Sequence, residues 1–157
     1  MFYKAIVNTL YALLAVPLNL LAGLLIAAIL HAKSIKGKNV WRVIFFIPYL
    51  CSGVVLATTF TWVFDAEFGV INGVLKMLEL PKLGFFRDAK MFMPTMFIMM
   101  VWSTMGNYGL QFYAALSGVS KEILEAAEID GAGPVTRFFK ITLPLISPTT
   151  FYLFTTG

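Results

Sequence analysis

The stretch "WSTMGNYGLQF", residues 102–112, places Thr104, Asn107, Tyr108 and Gln111 at intervals of three and four. On a helix that spacing gathers a hydroxyl, two amides and a phenol onto one face. By position the face lies deep within an apolar run. Polar side chains are costly in hydrocarbon unless they meet protein or water. Two chemistries fit them. One is a surface for a neutral sugar, made by hydrogen bonds and ring stacking. The other is polar contact between helices, since Gly106 and Gly109 equally mark close helix packing.

A second concentration of functional groups follows in "KEILEAAEIDGAG", residues 121–133, with Glu122, Glu125, Glu128 and Asp130. Clustered carboxylates raise the question of a metal or an acid–base pair. Glu122, Glu125 and Asp130 do not all share one helix face, and no histidine accompanies them, so a docking or solvated surface fits better. The remaining polar residues read as structural. Asn8, Thr9 and Asn19 in the first apolar run are packing contacts. Thr58, Thr59 and Thr61 can bond back to their own helix carbonyls. His31 sits at the end of an apolar run with no visible partner and reads as interfacial rather than metal-ligating. Cys51, the lone cysteine, excludes an internal disulfide and reads as a small buried hydrophobe.

The elements that must hold these groups are apolar helices. Of the 157 residues, 59% are hydrophobic and 13% charged, about half the roughly 25% charge of soluble domains, so lipid is the natural solvent. The net charge of +4 comes with no long run of like charge, which argues against nucleic acid. A first membrane span is expected over about 5–30, uncharged and longer than the roughly 7–15 residues of a signal-peptide core. Pro17 should kink it. The loop "HAKSIKGKNVWR", with Lys33, Lys36, Lys38 and Arg42, reads as cytoplasmic by its basic density. A second span is expected over about 43–64, with Pro48 near its start and Trp41 and Trp62 as interface anchors. In the mixed-charge loop that follows, residues 68–80 have helical spacing and should lie on the outer surface. A third span is expected over about 91–116, and a fourth begins at about 144. The fold class is therefore all-α: a polytopic helical membrane protein, three full spans and the start of another, cut short at its C-terminus. None of the three spans contains aspartate, glutamate or histidine, which counts against a membrane-embedded enzyme.

Between the third and fourth spans, residues 118–142 predict a helix–turn–helix on the cytoplasmic side. Ser120 can cap the first helix and Glu122 suits its first turn. Ala126 and Ala127 allow another surface to approach closely. Gly131 and Gly133 break the helix, Pro134 starts the next, and Leu143 before Pro144 should end it. The element suits either docking into a groove on a soluble partner or resting on headgroups.

The spacing of Glu125-Ala126-Ala127, three residues, Gly131, nine residues, Ile141, one residue and Leu143-Pro144 resembles the EAA motif of the membrane subunits of binding-protein-dependent ABC importers. "EAAEIDGAGPVTRFFKITLPLISPT" and "WRVIFFIPYL" resemble the sugar-importing branch, of the maltose and glycerol-phosphate type. The likeness runs from about Asn8 onward. Ser120 stands where relatives often have proline, and the family usually has about six spans. The resemblance implies a permease in a bacterial or archaeal inner membrane, working with a second permease subunit, two ATPase subunits and an extracytoplasmic solute-binding protein. Glu125 would meet a basic residue in a cleft of the ATPase, with Ala126 and Ala127 against its wall, Glu122 and Ile129 on the same element, and Gly131 allowing the turn. In such relatives the helix before the docking loop lines the passage, which makes Asn107 the foremost candidate for solute contact. The chain has no phosphate-binding loop of its own, so ATP and magnesium would be bound by the partner and no cofactor by this chain. The alternatives are an ABC importer permease for another small polar solute (a polyol, glycerol phosphate or a polyamine) and, further off, an ATP-independent channel or membrane scaffold, which gives Glu125 no role.

Overall fold

The computed structural model describes residues 2–31 and 37–157, and every regular element among them is helical. The expected loop residues Lys33 and Lys36 lie outside the described residues. The first apolar run forms α1 (Phe2–Leu13) and α2 (Ala15–His31). Together, Ala5–His31 is the one described helix that is long and apolar enough to cross a membrane alone, with mean hydropathy 2.5. The irregularity falls at Leu14, whose N–H bonds to the Tyr11 carbonyl at 3.2 Å. Pro17 explains its place: proline offers no N–H to the Leu13 carbonyl four residues back, and its ring crowds that carbonyl.

In place of one second span over 43–64, the chain makes α3 (Lys38–Leu50) and α4 (Gly53–Val63), bent by 101°. The helix starts before Trp41, so Pro48 stands near its C-terminal end rather than near its start. There the chain turns out at Cys51, and Ser52 caps the next helix by accepting from the Val55 N–H. A continuous apolar run thus hides a stop and a restart, each with its own terminal signal.

The expected surface helix is α5 (Val70–Met77). Its loop is pinned by Asn72, which is 2% exposed. The Asn72 amide donates to the carbonyls of Asp65, Ala66 and Leu83, and its Oδ1 accepts from Leu83 N–H at 3.0 Å. Arg87 pairs with Asp65 and Glu67 beside it. A single 3₁₀ turn (Phe85–Arg87) leads to α6 (Ala89–Ser117), capped by Asp88. At 1.5 Å per residue its 29 residues run about 43 Å, more than the hydrocarbon thickness.

Helix α6 is the spine, and α2 and α3 lie against it through glycines. A Cβ on Gly23 would sit 2.9 Å from the Gly109 nitrogen, and one on Gly106 would strike the Phe45 carbonyl of α3. Such close backbone approach is how helices pack in lipid, where apolar burial alone gives no driving force. Tyr108, Phe112 and Leu116 of α6 join Ala27, Ile146 and Leu153 in the buried cluster. Leucines on the other side of α2, such as Leu21 and Leu25, are exposed, as lipid or a further protein surface requires.

The two ends of α6 differ. At its C-terminal end, Tyr113 takes the Arg42 guanidinium over its ring at 4.1 Å and the His31 ring at its edge. The flanks of the basic loop therefore sit beside the segment that follows α6. The pinned loop of residues 65–88 lies at the opposite end.

That segment is α7 (Lys121–Ile129), α8 (Pro134–Arg137), a π turn (Phe138–Thr142), α9 (Leu143–Leu145) and α10 (Ser147–Thr156). The helix does not end before Pro144 as expected. Leu143 stays helical at φ −61° and ψ −44°, and the break falls at Ile146. The wider π turn directly upstream loosens the coil that Pro144 would otherwise crowd.

Candidate functional site

Two sites were expected from the residues, and they are built differently. The first is a cavity of about 580 Å³ between α1, α2, α6 and α10. Its volume lies within the roughly 300–1,000 Å³ of small-molecule sites. Thr104, Asn107, Tyr108 and Gln111 all line it, joined by Thr9, Asn19, Ser103, Tyr152 and Thr156.

The polar groups are held by one another and by the helices. Thr104 donates its hydroxyl to the Met100 carbonyl at 2.7 Å and accepts from the Asn19 amide at 2.8 Å. Gln111 donates to Asn107 Oδ1 at 3.2 Å, one turn apart. Thr9 donates to the Ala5 carbonyl. Thr104 thus makes an interhelical contact, and the same face borders the cavity.

Tyr108 is placed otherwise than ring stacking needs. It is 5% exposed, packed in the core, with its hydroxyl directed to the Leu153 carbonyl at 3.5 Å. Its ring serves the wall, and the aromatic ring that is both exposed and on the cavity is Tyr152. Sequence reasoning passed over Tyr152 because it lies past the docking segment in a short apolar run. Asn19, expected as a packing contact, makes one to Thr104 of α6 and also lines the cavity. The usable signal was the small and polar spacing Thr9, Ala12, Val16, Asn19 in a helix otherwise rich in leucine.

The second site is the α7–α8 hairpin. Ser120 accepts from the Glu122 N–H at 3.2 Å, capping α7 as its sequence suggests. The helix ends at Gly131, φ +81°, with the Ala132 N–H returning to the Ala127 carbonyl at 2.9 Å. That is the left-handed closure glycine favours. Arg137 of α8 forms an ion pair with Glu128, tying the two arms together.

Glu122, Glu125, Ala126 and Ile129 stand at i, i+3, i+4 and i+7 of α7, hence on one stripe, and all are exposed; Ile129 is 87% exposed. Ala127 is on the other side and is buried within the chain at 8% exposure. The two alanines expected to share one partner surface thus face different ways. Among the described residues Glu125 has no ion pair, whereas Glu128 has one.

Comparison with known proteins agrees with this architecture. A family model described as "Binding-protein-dependent transport system inner membrane component" matches residues 5–156. The chain is 31% identical over 147 residues to a probable ABC transporter permease, YurN, of Bacillus subtilis, covering 91% of this chain and 50% of that one. It is 35% identical over 156 residues to the arabinooligosaccharides transport system permease AraP of Halalkalibacterium halodurans, covering 98% and 49%. The sn-glycerol-3-phosphate permease UgpA of Yersinia pestis is 33% identical, with 97% and 50% covered. A solved bacterial ABC transporter involved in the import of the acidic polysaccharide alginate superposes with a TM-score of 0.80 at 25% identity, covering 91% of this chain and 52% of that one. The chain spans about half the length of the curated relatives it matches. With nearly all of its residues under the family model, the chain belongs to the inner membrane components of binding-protein-dependent transport systems.

Proposed function

We propose that this chain is part of the membrane permease of an ATP-driven importer, moving a sugar or a related polar solute across a cell membrane in several passes. The solute would be delivered by an extracytoplasmic binding protein. The chain would act beside a second permease subunit, as a transport subunit rather than an enzyme. ATP and magnesium would be held by ATPase subunits. What supports the reading is the pairing of a polar cavity along α6 with an exposed acidic stripe on α7, which follows directly after α6.

The docking face would be Glu122, Glu125, Ala126 and Ile129. Glu125 would meet a basic residue of the ATPase, and Ala126 would let the surfaces approach. Ala127 would instead support the hairpin from inside, and Gly131 would permit its turn. Movement of the hairpin would pass to α6 and α10 through their continuity with it, as rigid-body motion. Asn107, Thr104 and Gln111 would border the solute path, with Tyr108 shaping its wall. Hydroxyl and amide groups without an ionised side chain suit a neutral, hydroxyl-rich solute.

The test is uptake into proteoliposomes carrying the complete transporter. The reading expects accumulation of a labelled oligosaccharide only with binding protein outside and ATP inside. Equal flux with and without ATP would overturn it in favour of a channel.

A further inference from the structure

The aliphatic hydroxyls that line the cavity have already committed their protons. Thr9 donates to the Ala5 carbonyl at 3.0 Å, Ser103 and Thr104 to the Met100 carbonyl at 3.0 and 2.7 Å, and Thr156 to the Tyr152 carbonyl at 2.8 Å. A hydroxyl has one proton, so these groups can offer a solute lone pairs only. Among the described residues no lysine, arginine or histidine lines the cavity. Such a wall suits a solute that gives hydrogen bonds. It meets a carboxylate or a phosphate, which accept, with further acceptors.

Asn107 and Gln111 differ from these hydroxyls. Gln111 Nε2 donates to Asn107 Oδ1 at 3.2 Å. The Asn107 NH₂ and the Gln111 Oε1 are then left without partners among the described residues. Exchanging O and N in both amides leaves the same set, one NH₂ and one carbonyl, so the outcome does not depend on how they are assigned. Both leftover atoms are open: the unpaired side-chain atoms sealed from solvent among the described residues are Asn19 Oδ1 and Arg42 Nε. Asn107 and Gln111 are half-buried and stand with Met100, Ser103 and Thr104 on the stripe of α6 that lines the cavity. A donor and an acceptor thus lie side by side on that stripe.

We infer that this amide pair recognises two adjacent hydroxyls of an uncharged solute, Asn107 donating to one and Gln111 accepting from the other. Gln111 is also a positioning residue, because its bond holds the Asn107 amide before the solute arrives. The inference rests on the solute class proposed above and narrows it to a vicinal diol, with anionic solutes disfavoured.

The experiment is uptake into proteoliposomes carrying the complete transporter, with binding protein in excess outside and ATP inside. Labelled arabinotriose, alginate trisaccharide and sn-glycerol 3-phosphate are compared first; the neutral probe should enter and the two anions should not. Single-deoxy analogues of arabinotriose are then compared in wild type, Asn107→Leu and Gln111→Met at matched membrane abundance. In wild type, loss of either of two neighbouring hydroxyls should raise KM about tenfold. The penalty at one hydroxyl should vanish in Asn107→Leu. Gln111→Met should remove the penalty at its neighbour and also weaken the first, although Asn107 is intact, while Vmax holds. Equilibrium binding of the analogues to the purified complex repeats the comparison without turnover. Preference for an anionic probe, indifference of the wild type to every deoxy position, or penalties that survive in both variants overturn the inference and leave ATP-driven import standing. A wild type that imports none of the three probes overturns the solute class itself and the inference with it.

Discussion

The cavity borders α6 and the hairpin follows directly after that helix, yet the two are made by opposite means. The hairpin is assembled from neighbours in sequence: a serine cap, a left-handed glycine, a proline start, and an ion pair nine residues apart. The cavity is assembled from groups far apart in sequence; Asn19 and Thr104 are separated by 85 residues. Locally encoded elements keep their shape when their surroundings move, which suits a handle. A wall built from long-range contacts changes when helices shift, which suits a gated passage.

The comparison breaks most easily at the glycines of the bundle. Gly106→Val should have the largest effect, because its side chain meets the Phe45 carbonyl, a backbone atom of α3 that cannot rotate aside. We expect a loss of about 1–3 kcal/mol, seen as a lower Tm of the detergent-solubilised protein. Gly131→Ala should cost about 1 kcal/mol through its positive φ, with the loss confined to the hairpin. Hydrogen exchange should rise in residues 121–137 and not around the cavity. Ser120→Ala removes the α7 cap and should cost about 1 kcal/mol, read as faster exchange at the first turn of α7. If either hairpin substitution loosens the cavity as much as Gly106→Val does, the separation of local from long-range construction is wrong.

The smallest effect should come from acid on the loop of residues 65–88. The Glu67 backbone N–H above all, with the Phe68 N–H and the Arg87 guanidinium, holds the Asp65 carboxyl below its ordinary range, against an opposing desolvation that outweighs either of the latter two singly. Its folded pKa is lowered, so its contribution is present above the unfolded value of 3.8 and is lost as pH falls through the lower folded one. Exchange at residues 65–72 should therefore quicken under acid below that value, and Asp65→Asn should remove the pH dependence.

The same contrast explains what could be read from the sequence. The hairpin was legible because Ser120, Gly131 and Pro134 each dictate a backbone state alone. The polar face of α6 was legible because its spacing is periodic. The bend at residues 51–52 was not, because the apolar run continues through it and the cap at Ser52 looks like one more tolerated hydroxyl. Asn72 was masked by the apolar residues around it, and its meaning lies in three carbonyls that only the folded loop brings together. Tyr108 has the right spacing for the cavity, but the opposing Leu153 and Ile146 turned its ring into core. Ala126 and Ala127 are adjacent in sequence and so lie about 100° apart around the helix, a separation that spacing alone implies but a motif obscures.

The central claim is that the exposed stripe of α7, and not its buried side, is held by an ATP-hydrolysing partner. The direct measurement is cross-linking in the complete transporter, with Cys51→Ala as background and single cysteines introduced at Ala126 or Ala127. The account predicts a cross-link to the ATPase subunit from position 126, lost when Glu125→Lys is added, and none from position 127. A cross-link from 127 but not from 126, or labelling of 126 by an impermeant reagent from outside the cell, would contradict it.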